Sequence, residues 1–230
     1  MRVSSNFIVV AIDGSAASGK STTARALAER HHFLYADTGS HYRAVTLFLL
    51  EAGVDTTDSA AVVKALKKAT LDTVISGRKA LLCLNQWTPP DAALRSARIN
   101  EHVALCAKLP SVRAFLLAYQ RSQVEVARKN KFQGLVMEGR DIGSVILPDA
   151  DFCFFLEADP KTRRQRRAKE GAQDVIHSRD RLDTERKTAP LVCPKHAVRI
   201  DTSRYSLTEV VDLISNRITA LPDKGVDEVC

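Results

Sequence analysis

No stretch of the 230-residue chain approaches the roughly 18 consecutive apolar residues that a membrane-spanning helix requires, which excludes a helical span. The opening MRVSSNFIVVAIDG holds a short apolar run and no small-residue cleavage site, which speaks against a secretory leader. Cysteine is sparse and scattered: Cys83, Cys106, Cys153, Cys193 and Cys230 form no CxxC pair, so neither zinc nor disulfide staples are implied. An odd set of this kind suits buried thiols in a reducing compartment, and a cytosolic location is expected. Aromatic residues make up 6% of the chain and few lie near its arginine-rich stretches, leaving little to stack nucleic-acid bases.

What the chain does have is positive charge, with 34 Lys and Arg against 27 Asp and Glu, a formal +7. Such a balance points to an anionic partner. The arginines concentrate in KTRRQRRAKE, residues 161–170, and in SRDRLDTERK, residues 178–187, the second interleaved with acids. That distribution fits an arginine-lined pocket for a small phosphorylated ligand. No nucleic acid, membrane surface or obligate protein partner is expected.

With 45% hydrophobic and 27% charged residues, the chain can bury a proper core and reads as one domain, residues 1–230, with insertions. Five short apolar runs read as buried strands: Phe7–Ile12, Phe33–Ala36, Leu135–Glu138, Asp151–Leu156 and Ala197–Ile200, the last leading into the amphipathic helix Leu207–Ile218. Strands alternating with helices, without a long hydrophilic linker, imply an α/β fold with a parallel sheet covered on both faces. One region departs from the plan. LDTVISGRKALLCLNQW, Leu71 to Trp87, reads as two strands around Ser76-Gly77-Arg78-Lys79, an antiparallel hairpin expected to form a small insertion subdomain. Helix returns in PSVRAFLLAYQRSQVEVARK, with Pro110 at its start and Val112, Phe115, Leu116, Tyr119 and Val126 on one face.

Glycine is also scarce, ten in all, yet Gly14 and Gly19 bracket the turn between the first strand and a helical stretch, Thr23–Arg30. The octet Gly14-Ser15-Ala16-Ala17-Ser18-Gly19-Lys20-Ser21 satisfies G-x-x-x-x-G-K-[ST] in the strand-to-helix context that this motif requires. Backbone N–H groups there can close around a phosphate, with the helix N-terminus adding about half a positive charge. Lys20 then reaches the outer phosphates, Ser21 can hold Mg²⁺, and Lys20 is expected to be an exposed loop-to-helix residue. A nucleoside triphosphate is the expected ligand, although kinases, switches and motors share this loop.

Three further constellations could supply an acceptor. ADTGSHYRA sets Asp37, Thr38, Tyr42 and Arg43 at the carboxyl edge of the sheet, where α/β proteins bind ligands. The same residues read equally well as an ordinary helix cap and a solvated charge, and His41 reads as a surface residue. VMEGRDIGSVILPDA brings Glu138, Gly139, Arg140 and Asp141 out of a buried strand, where charges are costly unless paired, and Gly139 and Gly143 suggest close backbone approach. In SRDRLDTERKTAPL, Arg179, Asp183 and Arg186 share one helix face, as a plain salt-bridged helix would also allow. Phosphoryl transfer between two polyanions needs several guanidinium donors, and Arg163, Arg166 and Arg167 could serve from the donor side.

Taken in order, GxxxxGKS, D-T-G-x-x-Y-R, the antiparallel insertion, E-G-R-D-I-G and R-D-x-x-D-x-x-R-x-x-x-P-L resemble the bacterial-type cytidylate kinases, from about Ile8 to Leu213. The resemblance implies a P-loop nucleoside monophosphate kinase with a five-stranded parallel core. It also implies an acceptor-binding region at 38–110 that carries the β insertion near 70–90, and a short arginine-rich lid at 160–186. By motif, Gly14, Ser15, Ala16, Ala17, Ser18, Gly19, Lys20, Ser21 and Thr22 would bind ATP with Mg²⁺. Thr38, Tyr42, Arg43, Arg113, Arg140, Asp141, Arg179, Asp183 and Arg186 would line the site for CMP or dCMP. Lys20, Arg140, Arg179 and Arg186 would act in the transfer, Arg113 and Asp141 would face the pyrimidine, and Asp183 the sugar.

Against the family pattern, Ser15 replaces Pro and Ala17 replaces Gly in the loop, which tolerates the change if Ala17 keeps a negative φ. Ala104 stands where a base-contacting Ser is common, and the lid between Arg167 and Arg179 is short. The competing readings are another P-loop small-molecule kinase and an ATPase or GTPase switch docking a protein. The sequence lacks the N-K-x-D guanine signature and the long apolar strand ending in paired acids that a motor would carry.

Overall fold

A computed structural model describes residues 7–169 and 191–220. Its elements in chain order are β1 (Ile8–Gly14), α1 (Lys20–His31), β2 (Phe33–Asp37), α2 (Thr38–Glu51), α3 (Ser59–Leu66), β3 (Leu71–Ser76) and β4 (Lys79–Leu84). There follow α4 (Asp91–Leu94), α5 (Ala97–Cys106), α6 (Pro110–Lys129), β5 (Gly134–Gly139), a π-helical turn (Ile142–Ile146), β6 (Phe152–Glu157), α7 (Pro160–Lys169), β7 (Val198–Asp201) and α8 (Leu207–Thr219). The strands form one sheet in the order β3-β4-β2-β5-β1-β6-β7. All five apolar runs of the sequence become strands, and they pair in parallel as the contiguous set β2-β5-β1-β6-β7.

The apolar runs are continuous because both sheet faces are covered. Val10, Ile12, Val136 and Phe154 pack under α1 and α8, while Ala11, Leu135, Met137 and Cys153 pack on the opposite face with Ile142 and Ala127. A third cluster, including Val45, Leu49, Ile99 and Leu116, joins α2, α5 and α6.

The hairpin turns at Gly77 and Arg78, as its sequence implies, but the sheet has seven strands and not five. β4 lies parallel to β2 through Tyr35↔Lys79 and Ala36↔Ala80, so the hairpin extends the main sheet. The reason lies in KALLCL: Ala80, Leu82 and Leu84 share one face of β4 and are buried, the two leucines in the α2–α5–α6 cluster, while the opposite face carries Leu81 and the buried Cys83, so β4 is largely apolar on both faces. β3, whose residues alternate between half-buried and exposed, forms the edge.

α6 starts at Pro110 and buries Val112, Leu116 and Tyr119, whereas Phe115 and Val126 are only partly buried. His41, read as a surface residue, is fully buried with its ring edge-on to Tyr119. α5 and α6 both pack against α2 and cover the side of its first turn that carries His41, while Gly39 stays exposed and Ser40 half-buried on the other side.

Candidate active site

The loop between β1 and α1 is shaped by its glycines. Gly14 has φ +148° and lies so close to β6 that a Cβ would collide with the Leu156 carbonyl. Gly19 caps α1 at φ +90°. Ala17 between them has φ +58°, against the negative φ expected of a non-glycine residue. Lys20 is 5% exposed and not an open surface residue, because its stem lies in the loop while its ammonium donates to the Ser15 carbonyl at 2.6 Å.

The side of the site where an acceptor is expected is assembled from the carboxyl ends of β2 and β5. Asp37 caps α2, accepting from the Ser40 amide at 3.1 Å, and the Thr38 hydroxyl donates to the Glu138 carbonyl at 2.8 Å. A Cβ at Gly139 would collide with that hydroxyl, so glycine permits this joint. Arg43, half-buried one turn along α2, donates to the Leu94 carbonyl and to Asn100 Oδ1, each at 2.8 Å, which fixes its guanidinium at the wall of the cleft. Arg113 of α6 lies over the Tyr42 ring, 5.5 Å from its centroid, and pairs with Asp141 in the interior.

Two carboxylates tie these halves together. Asp13, at the end of β1, accepts from the amides of Ile142 and Gly143 at 2.8 Å each, locking the turn after Asp141 against the phosphate loop. Burial pushes its pKa up to about 6 despite those two hydrogen bonds. Glu138 accepts from the Tyr35 hydroxyl at 2.9 Å. Its pKa is raised, chiefly by burial and then by Asp37, against the opposing pull of Lys20 and a hydrogen bond with Ser21.

One cleft joins both regions: Ala16, Ala17, Gly19, Lys20, Ser21 and Thr22 line it with Thr38, Tyr42, Arg43, Arg140 and Asp141, and Ala104 lines it as well. A family model described as cytidylate kinase matches residues 10–220. This chain belongs to the cytidylate kinase family. It is 39% identical to a cytidylate kinase of Geobacillus kaustophilus (strain HTA426) over 90% of this chain and 94% of the relative. The match to a cytidylate kinase of Streptomyces avermitilis is 35%, over 90% of each chain. Among solved structures, a sugar kinase from Janibacter sp. HTCC2649 covers 94% of this chain and 97% of its own at TM-score 0.51 and 11% identity, a likeness of fold.

In this cytidylate kinase family member, Gly14, Ser15 and Ser18 are not among the residues that line the cleft, Ser18 being fully buried, and Arg113 backs the cleft through Asp141. Arg179, Asp183 and Arg186, and residues 170–178 of the segment between Arg167 and Arg179, lie outside the described residues. Arg25, Arg95 and Glu138 line the cleft without having been assigned a role from sequence. Arg25 follows Ser21 by four residues and so shares its helix face, a signal that was available. Arg95 follows the four-residue α4, for which no periodicity exists to read.

Proposed function

We propose that this chain transfers the terminal phosphoryl group of ATP to CMP and dCMP, releasing ADP with CDP or dCDP. A single observation carries the reading: the phosphate loop and the acceptor arginines Arg43 and Arg140 open into the same cleft, so donor and acceptor phosphates can meet without crossing solvent. The loop amides hold the donor phosphates and Lys20 moves from Ser15 to their outer oxygens. Arg43 and Arg140 hold the acceptor phosphate, with Arg179 and Arg186 assigned by motif to the charge that spreads during transfer. Asp141 and Arg113 face the base as acceptor and donor, and Asp183 takes the sugar. No catalytic base is required, because a phosphate with a second pKa of about 6 is largely ionised at neutral pH and needs only alignment.

The residues present fit Mg²⁺. Ser21 offers a hydroxyl beside the Glu138 carboxylate, an all-oxygen set suited to an octahedral, partly hydrated ion. When bound, Mg²⁺ would neutralise charge on the donor phosphates. Residues 38–110 form the acceptor region in this reading, residues 160–186 the lid, and the whole works with nucleotides alone in the cytoplasm.

The test is ADP release in a coupled assay, with and without each nucleoside monophosphate. CMP and dCMP should stimulate it strongly and UMP less. Hydrolysis indifferent to every monophosphate would point to a switch, and preference for AMP to a different acceptor.

A further inference from the structure

The left-handed Ala17 sits at the crown of a loop whose carbonyls are tied from outside. Thr202, 3% exposed at the end of β7, donates from its hydroxyl to the Ser18 carbonyl at 2.9 Å. Its own amide is fixed on the Glu157 carbonyl at 2.8 Å, so β6 sets its position. Arg166 of α7 grips the same residue twice, Nη1 to Thr202 Oγ1 and Nη2 to the Thr202 carbonyl, both at 2.9 Å. From there Nη1 reaches the Ala17 carbonyl at 3.4 Å and lies against Gly19. Arg163 approaches the Ala16 carbonyl in the same way, at 3.5 Å.

A planar trans peptide points its N–H opposite to its C=O. Carbonyls of Ala17 and Ser18 held outward therefore aim the amides of Ser18 and Gly19 inward. The Ser18 amide does turn into the loop, toward the Ser15 carbonyl at 3.4 Å. Inward amides are what a phosphate needs, yet the backbone shape that supplies them crowds the Cβ of Ala17. Left alone, this alanine would favour negative φ and turn its peptide away.

We propose that Thr202 and Arg166 are positioning residues that hold Ala17 in the left-handed conformation, so that the phosphate cradle is formed before ATP arrives. The proposal rests on the loop being the ATP site. Neither the Thr202 side chain nor the Arg166 side chain lines the cleft, so their effect on ATP passes through the loop.

The experiment compares the full chain with Thr202→Val, Thr202→Ser and Arg166→Met, each with and without Ala17→Gly. Readouts are ATP affinity by calorimetry, KM for ATP and for CMP, and the unfolding midpoint. Thr202→Val and Arg166→Met should weaken ATP about tenfold while leaving KM for CMP within about twofold, and Thr202→Ser should behave as wild type. Glycine adopts positive φ without strain, so Ala17→Gly should restore most of the lost ATP affinity in either variant. Arg166 is half-buried, so its variant keeps the test open should Thr202→Val fold poorly. Unchanged ATP affinity, equal losses for ATP and CMP, or no rescue by Ala17→Gly would overturn the brace with the ATP site intact. Absence of ATP binding by the wild-type chain would instead overturn the reading of the loop, and the brace with it.

Discussion

Arg113 of α6 and Asp141 after β5 form an ion pair inside the protein, with side chains 8% and 3% exposed, so the two groups expected to read a base separately are bonded to each other. Each keeps capacity for more: a guanidinium has five N–H donors and a carboxylate about four acceptor sites. Paired side by side, they can present a donor and an acceptor at fixed spacing, which is what a cytosine edge requires. Asp13, by holding the amides of Ile142 and Gly143, keeps this pair in register with the phosphate loop.

The pair makes a stability prediction as well as a functional one. Asp141→Ala should destabilise the fold by about 3–5 kcal/mol, because it leaves the Arg113 charge buried without its partner. Replacing both residues, as Arg113→Met with Asp141→Leu, should recover much of that stability but none of the CMP affinity. Urea unfolding and kcat/KM for CMP measure the two effects, and a single variant of wild-type stability would deny the pair its structural part.

Lys20→Met should lose about 10²-fold or more in kcat. Met also fills the buried stem position, so the unfolding free energy should change by no more than about 1 kcal/mol, the worth of the bond to Ser15. Near-normal turnover would remove the loop from the mechanism.

Ala104 lines the cleft with Val103 and Ala107 and brings no hydroxyl to it. CMP and dCMP should remain the best acceptors, with a margin over UMP that Ala104→Ser widens by up to about tenfold, the worth of one satisfied polar contact. Values of kcat/KM for CMP, dCMP, UMP and AMP in both proteins decide it. An unchanged CMP-to-UMP ratio would show that residue 104 does not face the base.

His41 is fully buried and neither ring nitrogen has a hydrogen-bond partner in the described structure. Burial lowers its pKa to about 4, with Lys79 adding to the shift and Asp37 opposing it. Above about pH 6.5 the ring is neutral in both folded and unfolded chains and has no effect. As the pH falls toward 4 the unfolded chain takes up a proton that the folded one refuses, and up to about 3 kcal/mol of stability is lost. His41→Leu should flatten this part of the stability profile, read from urea unfolding at pH 7, 6, 5 and 4.5. A variant with the same slope as wild type would show that other groups govern the acid response.

The sequence alone determined the parallel α/β core, because continuous apolar runs are what two-sided burial demands, and it determined the phosphate loop, because its glycines and lysine act through local backbone geometry. The hairpin was equally plain from SGRK and its flanking runs. Tertiary structure decided what depends on neighbours distant in the chain. β4 joined the main sheet because α2, α5 and α6 bury its leucines, and His41 went inside because two helices close over α2. Arg113 met Asp141 across 28 residues of chain. Ala17 took a left-handed backbone that its own side chain disfavours, since the donors opposing that preference come from α7 and the end of β7. Local patterns report a residue's own preferences, whereas burial, pairing and strain are set by whatever the fold places against it.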